Sequence, residues 1–164
     1  MITVYQNGEL HFQNKIYKCA IGRNGIKKNK IEGDGCTPAG TYSLGPLYYR
    51  SDRIKKLKTF FNTISIEKNM FWSDDPQSKH YNKLIKFKDS SYENLFKMNH
   101  TYDIIIVIKY NIDPIINGKG SAIFIHLAKE NFSPTSGCIA LKKKCIVEIL
   151  KKLNITDKIK IISD

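Results

Sequence analysis

Long apolar runs are missing from this sequence. The apolar stretches, such as IIIVI at 104–108 and IFI at 123–125, are strand-sized, far short of the ~18 apolar residues that suggest a membrane span. No membrane-spanning helix is therefore expected. The opening residues MITVYQNGEL lack the basic stretch and long apolar stretch of an export signal, so a cytoplasmic location is expected, with the cell envelope as the destination only by another export route. Cysteine is sparse: Cys19, Cys36, Cys138 and Cys145, with no C-x-x-C pair and no histidine at zinc-finger spacing. That pattern argues against a structural metal and, with no export signal, favours reduced thiols over disulfides. No cofactor is expected either.

Arginine is scarce as well. The formal net charge is +12, yet only three of the 27 basic side chains (Arg23, Arg50 and Arg53) are arginine. A basic surface favours anionic partners in general. Reading bases or phosphates bidentately is mainly the work of arginine, so nucleic acid is not expected as the partner. The small clusters KKNK at 27–30, KKLK at 55–58 and KKK at 142–144 read as a solvated basic face.

What is present is an ordinary globular chain. Its 164 residues suit a single domain, 1–164, that buries roughly 70% of its unfolded surface, and a monomer is expected. The first twenty residues read as a β-meander: ITVYQ and ELHFQ flank Asn7-Gly8, a pair suited to a type I′ hairpin turn. The segment from Gly22 to Gly40 carries five glycines and Pro38. Its GDGCTP run is not a nucleotide-binding loop, because Pro38 replaces the third glycine and no helix follows.

Further along, Ser91 can cap a short helix over YENLFKM. YDIIIVIKY reads as a strand buried on both faces. AIFIHLA is a second core strand, with Ala122, Phe124 and His126 on one face and Ile123, Ile125 and Leu127 on the other. Ile146, Ile149, Leu150 and Leu153 lie at amphipathic helical spacing, in a helix whose last turn is read as lysine-rich and suited to the negative end of its dipole. KIKIIS closes the chain as a strand. The fold class expected is mostly β with one or two helices (α+β).

The stretch HLAKENFSPTSGC, His126 to Cys138, carries the chemistry. Acyl transfer by a thiol needs an imidazole to take its proton, since a free cysteine with pKa near ~8.5 is mostly protonated at neutral pH. It also needs backbone N–H donors for the tetrahedral oxyanion, which a glycine turn beside the nucleophile can offer. Ser136-Gly137-Cys138 supplies the turn, and His126 sits on a rigid strand. A buried cysteine and a hydrogen-bonded histidine at a strand end would leave the same trace, so spacing alone leaves both readings open. Cys145 and Cys19 read as core packing.

The run GSAIFIHLAKENFSPTSGCIAL resembles the active-site segment of the L,D-transpeptidase catalytic domain family, of YkuD type. Upstream, GRNGI…KIEGDGCTPAGTYSL is similar to the family's glycine-rich first half, and FWSDDP…YN and YDIIIVIKYN match a branch of small single-domain members. The resemblance implies a β-sandwich or barrel-like domain in which a cysteine attacks the amide after the diaminopimelate of a peptidoglycan stem tetrapeptide. D-Alanine leaves and a thioester remains. An amine acceptor gives a crosslink; water gives L,D-carboxypeptidase activity.

Carried onto matching positions, the resemblance implies Cys138 as nucleophile, His126 as general base, and the N–H groups of Gly137 and Cys138 as the oxyanion hole. It also implies acylation of the nucleophile by carbapenems. Ser136 stands where many members carry a second histidine, which leaves His126 as the single candidate base in this segment. The partners implied are peptidoglycan stem peptides or muropeptides. Arg23, Arg50 and Arg53 are candidates for the stem carboxylates. Asp34, Asp74 and Asp75 are candidates for its amine, and Tyr81, Asn82 and Asn111 for further contacts. Two other functions stay open: a cytosolic carboxypeptidase trimming recycled soluble tetrapeptides, and a non-catalytic basic module that binds peptidoglycan or nucleic acid.

Overall fold

The first hairpin shows how local sequence starts the fold. In the computed structural model, which describes residues 1–163, β1 (Ile2–Val4) and β2 (Glu9–Phe12) pair antiparallel with Ile2 opposite Phe12. The reversal at Asn7-Gly8 is present, but as a four-residue connection rather than a type I′ turn. Gly8 takes φ +80° and Asn7 does not enter the left-handed region. The backbone is closed by Gly8 N–H to Tyr5 O and Tyr5 N–H to Glu9 O, and Asn7 Oδ1 accepts from Glu9 N–H. That asparagine acceptor does locally what a second positive φ would otherwise do.

After β3 (Lys15–Lys18), the glycine-rich segment forms only a short parallel clip, β4 (Ile26–Lys27) with β5 (Thr37–Pro38). β6 (Gly40–Tyr49) is the long central strand, joined by β7 (Thr63–Ser65). β8 (Phe71–Ser73), β9 (Leu84–Ile85) and β10 (Tyr92–Asn94) make a small separate sheet in the order β10-β8-β9. Then come β11 (Ile104–Ile108), β12 (Phe124–Leu127), β13 (Ile139–Leu141), α1 (Lys143–Leu150) and β14 (Lys158–Ile161).

Two local expectations are corrected here. The segment expected as a helix at 91–98 holds the short strand β10 (Tyr92–Asn94), with Tyr92 opposite Ser73, and no helix. A seven-residue helix bears its full nucleation cost, whereas Tyr92 gains an edge-on ring contact with Phe71 at 5.0 Å and Leu95 N–H reaches Met70 O. Helix α1 ends at Leu150, so no basic residue lies in its last turn. Lys151 and Lys152 follow it, and Lys142 to Lys144 crowd the positive end of the dipole instead.

The main sheet runs β13-β12-β11-β6-β14-β1-β2-β3, with β7 added beside β6. Past β3 the chain returns to the far edge: Ala20 bridges Ala140 and Gly22 bridges Thr135. The mixed sheet is thereby nearly closed into a barrel. Its interior holds one apolar core, to which Ile104, Ile106, Ile108, Ile125 and Leu127 contribute, with Ile146, Ile149 and Leu150 of α1. The other face of the same strands feeds a second core, with Ile105, Val107, Phe124 and Cys138 packed against Trp72, Leu95 and Tyr102. The alternation expected in β12 is therefore what separates the two cores. The second core positions the site.

Candidate active site

β12 lies between β11 and β13, antiparallel to the first and parallel to the second. The parallel register sets Ile125 beside Ile139 and His126 beside Ala140. Side chains alternate along a strand, so Phe124 and His126 share the face on which Cys138, just ahead of β13, is packed. His126 and Cys138 line one cavity of about 420 Å³.

The histidine's orientation fixes its tautomer. His126 Nδ1 lies 3.0 Å from the carbonyl oxygen of Leu127. A carbonyl only accepts, so Nδ1 carries the proton and Nε2 is left as the basic nitrogen. The Tyr102 ring stands edge-on to the imidazole, with centroids 5.2 Å apart. Burial pushes the imidazolium pKa down to about 4; the Leu127 carbonyl pulls the other way, and Lys97 adds to the lowering.

The thiol is buried too. Cys138 Sγ–H donates to Ala122 O at 3.2 Å, and Sγ accepts from Phe124 N–H at 3.3 Å. Burial raises the thiol pKa to about 12, against a smaller lowering by the Phe124 N–H. At neutral pH the resting site is thus a neutral thiol beside a neutral imidazole, not a preformed ion pair. Among the described residues no hydrogen bond joins Sγ to His126.

Thr135 braces the turn that presents the thiol. Its hydroxyl donates to Cys138 O at 2.6 Å and accepts from Gly137 N–H at 3.1 Å. The Gly137 N–H, expected as an oxyanion donor, is therefore engaged, while the Cys138 N–H has no partner among the described residues. Gly137 sits at φ +143°, and a Cβ there would lie 2.8 Å from Cys36 O. Cys36 contributes its backbone to this packing, whereas its thiol faces Asn24 O and Asp34 O.

Of the other residues singled out in the sequence, Arg23, Ser136 and Asp74 also line the cavity. Arg23 Nη1 donates to Ser136 Oγ at 3.1 Å, and its backbone N–H donates to Thr135 O. Asp74 carries a buried oxygen, Oδ1, without a partner among the described residues. Burial raises its carboxyl pKa, Ser91 opposes that, and Glu93 and Glu32 push it further up.

The remainder are committed to the fold. Buried Arg50 pairs with Asp52, donates to Lys97 O at 2.7 Å and stacks on Phe96 at 3.6 Å. Arg53 binds Asp103 and the carbonyls of Met98 and Asn99. Asp34 pairs with Lys30 at 2.7 Å and accepts from Ile31 and Cys36 N–H. Burial works to raise its carboxyl pKa, but those partners hold it low. Asp75 closes a turn on Gln77 N–H. Asn82 accepts from Trp72 Nε1–H and Ala122 N–H, and Asn111 fastens the loop at Ile116 and Gly120. Tyr81 donates to Glu32 and accepts from Gly120 N–H at 2.9 Å.

Sequence reasoning missed one wall of the cavity: Glu93, Lys97, Asn99, Thr101 and Tyr102. Reading 91–98 as a helix with an apolar face at Tyr92, Leu95 and Phe96 sent Glu93 and Lys97 to solvent. Nothing in the local pattern shows that Thr101 O receives Leu127 N–H, the contact that lays this wall against β12.

The L,D-transpeptidase catalytic domain model of the YkuD family matches residues 1–161. No curated protein matches the chain. Among solved structures it is similar to the helical cell shape determining protein Pgp2 from Campylobacter jejuni, at 18% identity and TM-score 0.46 over 99% of this chain and 47% of that one. It is similar also to an L,D-transpeptidase from Mycobacterium smegmatis, at 10% identity and TM-score 0.47 over 99% and 58%. L,D-transpeptidase 1 from Mycobacterium tuberculosis matches at 12% identity and TM-score 0.43 over 99% and 61%. The chain spans about half the length of the first of these and about three-fifths of the other two.

Proposed function

The chain belongs to the YkuD family of L,D-transpeptidase catalytic domains, and from that premise we propose that it carries out cysteine-dependent acyl transfer on peptidoglycan stem tetrapeptides. One observation carries the reading: Cys138, directly ahead of β13, and His126 of the neighbouring strand β12, whose Nε2 is unprotonated, line one cavity.

The neutral resting pair dictates the order of events. The Cys138 thiol leaves the Ala122 carbonyl and gives its proton to His126 Nε2 as sulfur attacks the donor carbonyl, so that proton transfer accompanies C–S bond formation. The carbonyl π electrons move onto oxygen, which takes the Cys138 N–H as a donor. Collapse of the intermediate breaks the C–N bond, and the imidazolium returns its proton to the leaving amine of D-alanine. A thioester on Cys138 remains. An acceptor amine attacks it, His126 takes the proton of that amine, and the thiol is restored. Water in the acceptor's place gives the shortened stem as a free acid. Asp74, which lines the cavity and carries an unpartnered buried oxygen among the described residues, suits the free ammonium of the donor's diaminopimelate.

The test is intact-protein mass after exposure to a carbapenem, followed by product analysis with a disaccharide-tetrapeptide and with intact sacculi. One adduct on the wild type and none on Cys138→Ala is expected, with crosslinked product. Tripeptide alone, and only from the soluble substrate, identifies a carboxypeptidase. A folded, reduced wild type that stays unmodified and turns over neither substrate defeats the catalytic reading and favours a basic binding module.

A further inference from the structure

Lys97 lines the cavity on the wall that faces His126. Its backbone is held rigidly: buried Arg50 donates to the Lys97 carbonyl at 2.7 Å, and Arg53 fixes the carbonyls of the next two residues. The fold therefore uses the main chain at 97 and leaves the side chain on a fixed base. Nζ lies 4.2 Å from the Tyr102 ring centroid, and that ring stands against His126. Its carboxylate partner is Glu93, at 3.1 Å, with side chains 31% and 36% exposed. A pair that open contributes little to stability.

The other cations of the cavity have different places. Lys30 is buried against Asp34, Arg23 stands by Ser136 on the side of the nucleophile turn, and Lys129, three residues past His126, lines the cavity from an exposed loop position. Among the described residues Lys97 is the cation stacked on the ring that abuts the base. In the proposed reaction His126 protonates the leaving nitrogen, and the carboxylate of the departing residue is two bonds from that nitrogen. A cation on the histidine side of the cavity is where such a carboxylate finds a partner.

Resting on the acyl-transfer reading above, we propose that Lys97 is a specificity-determining residue that binds the free α-carboxylate of the leaving residue, so that the site selects donors cleaved one residue from their C-terminus. Glu93 and the Tyr102 ring hold the ammonium in place between turnovers. A donor whose terminal carboxylate is capped, or carried one residue further on, presents no anion to it.

Binding tests this without relying on turnover. Calorimetry on Cys138→Ala is run with the stem tetrapeptide and with its C-terminal carboxamide. The free acid is expected to bind about tenfold more tightly, the scale of one charge-assisted contact. In Cys138→Ala/Lys97→Met that preference disappears while carboxamide affinity is unchanged, and Lys97→Arg in the same background restores most of it. A preference that survives Lys97→Met, equal weakening toward both peptides, or no binding of either overturns the proposal. Turnover of the tetrapeptide by the wild type is measured alongside. Selective binding without turnover would refute the acyl-transfer reading and leave the carboxylate site standing.

Discussion

Replacing His126 by asparagine should flatten the acid limb of the protein's stability profile. His126 is 9% exposed, and burial brings its imidazolium pKa down to about 4, against about 6.5 in an unfolded chain. Between those values the unfolded chain takes up a proton that the folded chain refuses. Stability from this residue is therefore intact above about pH 6.5 and lost as pH falls toward 4. At 1.36 kcal/mol per pKa unit, the loss between pH 7 and pH 4 is about 3 kcal/mol. Carboxylates of the unfolded chain also begin to titrate at the acid end of this range, so the informative quantity is the difference between proteins. Urea unfolding of wild type and His126→Asn at both pH values gives it. Wild type should lose about 3 kcal/mol more than the variant. Profiles that run parallel would mean that His126 is not held neutral by burial, and the account of a neutral thiol–imidazole pair would fall with it.

Two further substitutions probe the supports of the site. Gly137→Ala places a Cβ 2.8 Å from Cys36 O at φ +143°, and should cost about 2 kcal/mol or more in urea unfolding; a variant as stable as wild type would show that the turn relaxes freely. Arg53→Met strips Asp103, whose carboxylate is 2% exposed, of its 2.7 Å partner and leaves His100 as its remaining side-chain partner among the described residues. A loss of about 3 kcal/mol is expected, and an unchanged urea midpoint would refute the anchoring role given to that ion pair.

What could be read from the sequence follows from how local each signal is. The alternation in AIFIHLA and the unbroken run IIIVI each state which faces are buried, and β12 and β11 divide the two cores accordingly. Residue type and the family resemblance together single out His126, Ser136, Cys138, Arg23 and Asp74, and all line the cavity. Arg50 and Arg53 were marked by the same logic, as carboxylate binders, and are instead spent on backbone carbonyls some 45 residues away, from Lys97 to Asn99. No short-range pattern distinguishes an arginine that reads a ligand from one that anchors a loop. The helix expected over 92–98 gives way for the matching reason: the pairing of Tyr92–Asn94 with β8 is tertiary and overrides a weak helical spacing, and the nearby contact of Thr101 O with Leu127 N–H is tertiary as well.

The bridges from Ala20 to Ala140 and from Gly22 to Thr135 also tie the site to the order in which the chain must assemble. The turn that presents Cys138 is braced by Thr135, and Thr135 is itself held by Ile21 O and Arg23 N–H. The partners of that brace are more than a hundred residues apart, and such contacts form slowly because the intervening chain must first be ordered. A partly folded molecule therefore has a cysteine and a histidine but no set turn between them. Thiol reactivity toward an acylating probe then becomes a reporter of completed folding, appearing only when the two ends of the sheet have met.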